Sequence, residues 1–211
     1  MNRIERKFII ENGFSSANVL LYLYKNFVIK EKFAPRKINS IYFDTTNFDY
    51  LFDNLTGIKN RVKSRLRFYS DANDKVIYEE KIKNNEIGFK KKSYIEIPNE
   101  KLLNWYICLK KFKQSNLFLS SNFFLKETLF VKYDRKYMVD IFGNFITHDT
   151  NIQFYDVKYF NNPIIYKKSV IEYKINEQNF KKKLFYNFKL RHSRHSKYVV
   201  GMALLNKTAY L

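Results

Sequence analysis

Four basic residues alternate in one short stretch of the sequence, at Arg61, Lys63, Arg65 and Arg67. Residues two apart in a β-strand point to the same face of a sheet, so a strand here directs four cations to one side. Arginine binds phosphate oxygens through planar, bidentate donors, and lysine adds a concentrated point charge. The stretch therefore predicts one wall of a site for a polyanion.

The same alternation recurs elsewhere, and acidic residues stand among the basic ones. The pairs are Glu5 and Lys7, Glu79 and Lys81, Lys90 and Lys92, and Glu172 and Lys174. A single strand of this kind is usually the solvated face of a half-buried sheet, but several such strands favour an enclosed charged cavity. Carboxylates repel phosphate unless a metal ion intervenes, and hard divalent cations prefer carboxylate oxygens. The pattern thus predicts a metal-assisted triphosphate or polyphosphate site.

Composition agrees with an anionic ligand. The chain has 211 residues, with 39 Lys plus Arg against 20 Asp plus Glu, for a net charge of +19. Such a field attracts nucleic acid, polyphosphate, nucleotides or anionic membranes. The single cysteine, Cys108, excludes a disulfide framework within the chain. With no signal peptide or membrane span recognised, we expect a soluble cytoplasmic protein.

These side chains must be positioned by a sheet with flanking helices. The sequence predicts strands at 3–10, 37–44, 58–70, 75–83, 88–97, 129–139, 144–149, 152–157 and 170–175. It predicts helices near 16–26, 99–112, 178–188 and 197–206, and a helical turn within 45–55. About eight strands suffice to close a barrel that holds one small ligand. The expected fold is α+β, a closed antiparallel β-barrel with flanking helices in one domain over residues 1–211.

The chain resembles the VTC domain, the polyphosphate polymerase domain of vacuolar transporter chaperone proteins and their bacterial relatives. That family belongs to the triphosphate tunnel metalloenzymes, also called CYTH-like. The resembling stretches run in the family's order: 3–8, 40–45, 61–69, 79–83, 131–135, 146–150, 171–174 and 196–201. The resemblance implies an eight-stranded tunnel lined by Arg and Lys, a nucleoside triphosphate donor, and Mn²⁺ or Mg²⁺ as cofactor.

The resemblance and the alternation together give a set of site residues. The predicted catalytic residues are Arg65, Arg67, Lys81 and Arg135. The predicted substrate-binding residues are Lys7, Arg61, Lys63, Lys90, Lys92 and Lys197, and the predicted metal ligands are Glu172 and Glu5. One position departs from the family, because Phe145 stands where the family usually has Arg. Lys132 is a candidate to replace that missing cation.

The expected function is a metal-dependent polyphosphate polymerase that transfers the terminal phosphoryl group of ATP to a growing polyphosphate chain. One alternative is a triphosphatase of the same superfamily, in which water is the acceptor. Another is a non-catalytic module that binds polyphosphate or nucleic acid. ATP and inorganic polyphosphate are the expected partners, without a stable nucleic-acid partner. A membrane-associated partner protein is compatible with the sequence.

Overall fold

The computed structural model describes residues 3–11, 15–69, 75–84, 87–97, 104–121, 124–176 and 192–206. In this part of the chain the strands are β1 (Arg3–Ile10), β2 (Lys30–Asp44), β3 (Arg61–Tyr69), β4 (Lys75–Asn84), β5 (Ile87–Glu96), β6 (Lys126–Val139), β7 (Phe145–Asp156), β8 (Ile164–Tyr166) and β9 (Ser169–Asn176). The helices are α1 (Ser16–Phe27), α2 (Asp49–Thr56), α3 (Trp105–Lys113), α4 (Asn116–Ser121) and α5 (Lys197–Leu204).

The strands form one sheet in the order β1-β9-β7-β6-β2-β3-β4-β5, and β8 pairs with β7. The pairs β1–β9, β7–β9, β2–β3, β3–β4 and β4–β5 are all antiparallel. This architecture confirms the predicted α+β class with an antiparallel sheet and flanking helices. Among the described residues β1 and β5 end the strand order, so closure into a barrel stays a prediction.

The chain groups into two compact units. Unit 1 comprises Met1–Arg36, Tyr133–Ile152 and Ile165–His195, and unit 2 comprises Lys37–Lys132, Gln153–Ile164 and Ser196–Leu211. Strands β2, β6 and β7 each contribute residues to both units. Within the described ranges, no helix combines the length and apolar sequence needed to cross a membrane.

The core of unit 1 lies between α1 and one face of its strands. Alternate residues of β1, including Phe8 and Ile10, are buried there with Ile171 of β9. Helix α1 begins after Ser15, whose hydroxyl accepts a hydrogen bond from the backbone N–H of Asn18. The helix buries Leu23 against this face. The residues between the buried ones point to the opposite face, where the charged side chains lie.

Unit 2 is built in the same way around α3. Leu66 and Phe68 of β3 are buried in a core to which α3 contributes Cys108 and Phe112. Asn104 caps α3 by accepting a hydrogen bond from the N–H of Ile107. Because the apolar residues of β3 face α3, its alternating Arg and Lys residues face the other side of the sheet.

The predicted and observed strands differ at three places, β7, the start of β2, and β8. The two strands predicted at 144–149 and 152–157 are one strand, β7, which continues through Asn151 in a left-handed conformation (φ 51°). The amide of Asn151 donates to Asp134 at 2.7 Å. Strand β2 begins at Lys30 instead of 37, and Lys30–Lys37 are all exposed, so no apolar alternation marked them. The short strand β8 was not predicted, and the helix predicted at 178–188 lies outside the described residues.

Candidate functional site

One face of unit 2 carries a row of three lysines on neighbouring strands. Lys63 of β3 lies opposite Lys81 of β4, and Lys81 lies opposite Lys90 of β5. We call these three residues the lysine row. Like charges directly opposite each other destabilise a sheet. The row is therefore suited to an anion that lies across the three strands.

Next to this row, a buried carboxylate gathers three cations. Glu79 is only 3% exposed, and its Oε2 lies 2.6 Å from Arg65 Nη2 and 3.6 Å from Arg67 Nη1. Its other oxygen, Oε1, lies 2.6 Å from Lys90 Nζ. We call these four residues the Glu79 cluster. Burial alone would raise the pKa of Glu79, but the three cations hold that pKa well below its usual range.

Lys90 belongs to both the lysine row and the Glu79 cluster. Burial lowers its pKa to about 8, and Arg65 and Arg67 act in the same direction, whereas Glu79 acts against them. The charge of Lys90 is thus lost at a lower pH than that of an ordinary lysine, whose pKa is about 10.4. This position in the site is therefore sensitive to pH just above neutrality.

The first residues of α5 contact the same face of unit 2. Lys63 Nζ donates to Ser196 Oγ at 2.9 Å. The ring of Tyr198 stacks on that of Tyr42 with centroids 5.2 Å apart, and its hydroxyl donates to Asp44. These contacts set the start of α5, and hence Lys197, beside the lysine row.

Asp44 anchors this arrangement at the end of β2. It is fully buried and accepts the backbone N–H groups of Thr45, Tyr50 and Leu51 as well as the hydroxyl of Tyr198. Burial raises the pKa of its carboxyl group, although all four hydrogen bonds oppose that shift. Tyr42 extends the network, because its hydroxyl accepts from Arg65 Nη1 at 3.3 Å. These contacts therefore connect the position of α5 to the orientation of the Arg65 side chain.

The charged face of unit 1 contains two acidic centres. Arg135 of β6 binds Asp149 of β7 through two hydrogen bonds of 2.6 and 2.7 Å, and both side chains are buried. Glu172 of β9 lies opposite Lys7 of β1, and Lys174 Nζ is 3.7 Å from its Oε1. Burial would raise the pKa of Glu172, but Lys7, Lys174 and Arg135 hold that pKa well below its usual range. Glu172 is therefore ionised at neutral pH.

The residues around Glu172 fit a divalent cation. Glu5 lies opposite Lys174, one step along the same face, and Thr147 lies opposite Glu172 on the other side. Thr147 Oγ1 is buried without a hydrogen-bond partner among the described residues. No group of three or more His, Cys, Asp or Glu residues suited to a metal occurs in that part of the chain. Mg²⁺ commonly uses only one or two carboxylates and completes its shell with phosphate oxygens and water, so Glu172 and Glu5 are the residues that could hold such an ion.

Glu79 does not offer a comparable metal site. Both of its carboxylate oxygens are in direct contact with cations, since Oε2 lies 2.6 Å from Arg65 and Oε1 lies 2.6 Å from Lys90. The ion pair of Glu172 with Lys174 is longer, at 3.7 Å, and leaves its carboxylate more accessible to a metal ion. Of the glutamates that precede a lysine by two residues, Glu79 therefore organises cations, whereas Glu172 and Glu5 are suited to a metal.

Other predicted site residues differ in their surroundings. Arg61 Nη1 donates to the backbone oxygens of Ile58 at 2.9 Å and Gly57 at 3.4 Å, at the turn before β3. Lys92 is exposed and lies opposite Glu79, on the face of the unit 2 sheet that carries the lysine row and the Glu79 cluster. We call this side of the sheet the cationic face. In unit 1, Lys7 Nζ donates to the backbone oxygen of His195 at 2.9 Å. Lys7 is thus fixed by the segment that leads into α5.

Sequence reasoning missed several residues of this network. Glu79 was recognised only as one of three glutamates before a lysine, and nothing indicated that three cations share its carboxylate. Tyr42 and Tyr198 were placed in no role, although both belong to stretches that carry the family resemblance. Phe145 lies opposite Lys174, so a cation is adjacent to the position of the missing Arg. The prediction that Lys132 replaces this cation is wrong, because Lys132 lines a groove on the core side of the unit 2 sheet, on the face opposite the lysine row.

Comparisons with known proteins agree with this geometry. A family model described as the VTC domain matches residues 2–206.

The chain is similar in structure to a protein of Pyrococcus horikoshii OT3, with 14% identity, a TM-score of 0.52, and coverage of 98% of this chain and 100% of the other. A proposed adenylyl cyclase of Hippeastrum, described as having a dominant triphosphatase activity, has 15% identity, a TM-score of 0.54 and coverage of 96% of both chains. A proposed adenylate cyclase of Vibrio parahaemolyticus has 14% identity and a TM-score of 0.54, over 94% of this chain and 97% of the other. These structures share the fold. No curated protein matches the sequence.

Proposed function

The chain belongs to the VTC domain family of triphosphate tunnel (CYTH-like) proteins, and from this premise we propose that it is a metal-dependent polyphosphate polymerase. In the proposed reaction a terminal oxygen of polyphosphate forms a bond to the γ-phosphorus of ATP. The bond from that phosphorus to the β,γ-bridging oxygen breaks, and ADP leaves. The polyphosphate chain thereby grows by one phosphate.

The observation that carries the proposal is the lysine row beside the Glu79 cluster. It presents several cations on one face of three adjacent strands, whose other face is held by the core of unit 2. Phosphoryl transfer requires little covalent chemistry from a protein, so positioning and charge neutralisation supply most of the catalysis. Fixed Arg and Lys donors meet both needs.

We assign roles to the predicted residues on this basis. Arg65, Arg67 and Lys81 bind and neutralise phosphate oxygens, and Lys63, Lys90 and Lys92 extend that surface. In unit 1, Lys7 supplies positive charge beside Glu172, and Arg135 offers phosphate its remaining N–H donors while Asp149 holds its guanidinium in place. Glu172 and Glu5, with the hydroxyl of Thr147, would hold Mn²⁺ or Mg²⁺. When bound, such an ion neutralises charge on the phosphate oxygens.

Glu172→Gln tests the metal-binding role, because it removes the charge but preserves the shape of the side chain. We expect turnover of ATP to fall by about a hundredfold or more, the scale of losing one main electrostatic contribution. Triphosphate binding without metal should remain within a few-fold of wild type, since Lys7 and Lys174 stay in place. Turnover assays and calorimetric titration with tripolyphosphate measure the two effects.

Glu127→Gln is the matched control. Glu127 pairs with Lys113 at 2.9 Å, on the core side of unit 2, and should be dispensable for turnover. If Glu172→Gln retains full metal-dependent activity, Glu172 is not the metal ligand. If turnover is lost in both variants, the loss does not report on a metal.

A further inference from the structure

Unit 2 contains a second concave site, on the face of the sheet opposite the cations. It is a groove of about 280 Å³ whose walls are the aromatic rings of Phe68, Trp105, Phe130, Tyr155 and Phe160. Asn39 and Phe68 are paired in the β2–β3 register, and the next pair is Ser40 and Arg67. Since adjacent residues of a strand face opposite sides, the groove and the Glu79 cluster lie back to back across the sheet.

Two side chains of the groove, Lys132 and Asn104, offer hydrogen-bond donors to a ligand. Lys132 is half-buried there and has neither an ion pair nor a hydrogen bond among the described residues. Asn104 uses its side-chain oxygen to accept from the N–H of Ile107 at 2.9 Å, so its NH₂ group remains for a ligand. Within the described chain no carboxylate lines the groove. Its charge therefore selects an anion.

The aromatic walls are held by a constrained loop. Phe160 and Asn162 both have left-handed backbone conformations, with φ of 46° and 52°. This conformation is unusual for a bulky residue such as phenylalanine. In this conformation the ring of Phe160 stacks on that of Trp105, with the ring centroids 3.4 Å apart and an angle of 8° between the ring planes. Strained residues of this kind persist where the surrounding structure fixes them, and they are frequent at ligand sites.

We propose that this groove binds a mononucleotide, with the base against the aromatic walls and the phosphate at Lys132. Planar bases stack on aromatic side chains without requiring a particular base. The volume is close to the lower end for small-molecule sites, which suits one base and one phosphate. This site is separate from the proposed catalytic residues, and its existence does not depend on the polymerase assignment.

Trp105 is the only tryptophan of the chain, so its fluorescence reports directly on the groove. The full chain is titrated separately with AMP, adenosine and inorganic phosphate. We expect AMP to change the Trp105 emission with saturation. Adenosine lacks the charge and phosphate lacks the ring, so each should bind at least about tenfold more weakly. Lys132→Met should weaken AMP binding about tenfold, the scale of one charge-assisted hydrogen bond.

Arg65→Ala distinguishes this site from the cationic face. It should leave AMP binding at Trp105 unchanged, and Lys132→Met should leave ATP turnover unchanged. Thermal unfolding checks that each variant is folded, and Lys132→Gln replaces the Met variant if that one is not. The proposal is overturned by the absence of a saturable AMP signal at millimolar concentration. It is also overturned if Arg65→Ala removes the signal, or if neither Lys132 variant weakens it.

Discussion

Glu79 shows how a single buried carboxylate can prepare a phosphate site. A buried charge must be paired, and Glu79 is paired with Arg65, Arg67 and Lys90, none farther than 3.6 Å. The three cations are thereby held close together despite their mutual repulsion. Donors that are already in place need not reorganise when a triphosphate binds or reacts. Glu79 is therefore a positioning residue in this account.

Two neighbouring lysines of β5 provide a matched test of the cationic face. Lys90→Ala removes a member of the lysine row, so we expect the affinity for tripolyphosphate to fall about tenfold, as for one charged hydrogen bond. Lys91 points to the other face, opposite Glu80, and is exposed. Lys91→Ala should change the affinity less than about twofold, because only long-range charge is lost. Equal losses in the two variants, measured by calorimetry, would show that total charge, not the face, governs binding.

The pKa of Lys90 predicts a pH dependence. Lysine is charged below its pKa, and that of Lys90 is lowered to about 8. Raising the pH through and above 8 therefore removes a positive charge from the free site and weakens anion binding. Bound triphosphate favours the charged form, so part of the loss is shifted to higher pH.

Lys90→Arg isolates this effect, because arginine remains charged throughout the range. Between pH 7 and pH 9.5 the affinity of the wild type for tripolyphosphate should fall several-fold more than that of the variant. Protonation of tripolyphosphate affects its binding to both proteins equally, so this effect cancels in the ratio of the two affinities. Parallel pH profiles would rule out Lys90 as the titrating group.

At this scale the sequence predicted which side chains share a face, because the period of a strand is two. It could not predict which cation pairs with which acid. The pairing of Glu79 with Lys90 depends on the β4–β5 register, which the alternation alone leaves open. The sequence also gave no sign that the Arg61 side chain donates hydrogen bonds to the backbone oxygens of Gly57 and Ile58.

After the strands themselves, α5 is the element that contacts the lysine row, through Ser196 at its start. Its position depends on Gly201, where a Cβ atom would lie 2.6 Å from side-chain atoms of both Leu129 and Phe154. Glycine in mid-helix is unfavourable by roughly 1 kcal/mol compared with alanine, so its presence here reflects close packing. The helix can then lie close enough to the sheet for Tyr198 to reach Asp44.

Gly201→Ala should therefore destabilise the protein despite the better helix propensity of alanine. We expect the free energy of unfolding to fall by about 1–3 kcal/mol, the usual cost of overpacking. Displacement of α5 should also weaken triphosphate binding, because Ser196 and Lys197 move with it. Gly88→Ala in β5 is the control, since nothing lies within 4 Å of the added methyl group. A fully stable Gly201→Ala variant with wild-type affinity would contradict this role of α5.

The sequence predicted elements best where capping or alternation marks them. Helices α1 and α2 follow the signals of Ser15 and Gly57, and Gly57 has a φ of 76° that suits glycine. Strand β7 was divided in two because Asn151 interrupts the alternation, although its left-handed backbone lets the strand continue. The first half of β2 has no buried face, so hydrophobic patterning could not reveal it.

For the whole molecule, the order of the motifs was more informative than any one of them. It predicted the VTC family, and the match over residues 2–206 confirms it. The similar solved structures share the fold, whereas closure of the sheet into a tunnel stays a prediction. A cytoplasmic location, the nucleotide donor and the choice between polyphosphate and water as acceptor stay predictions. The acceptor depends on what reaches the terminal phosphate, and the strand pattern does not encode it.

The most direct test is the identity of the product. Purified protein is incubated with ATP and Mn²⁺ or Mg²⁺, the products are separated by gel electrophoresis, and ADP and orthophosphate are quantified. The account predicts acid-labile phosphate chains longer than triphosphate, with one ADP released for each phosphate added, and at least about a hundredfold less chain from Glu172→Gln. Release of orthophosphate without chains would contradict the polymerase assignment in favour of a triphosphatase. Absence of metal-dependent turnover, with anions still bound, would contradict an enzymatic function.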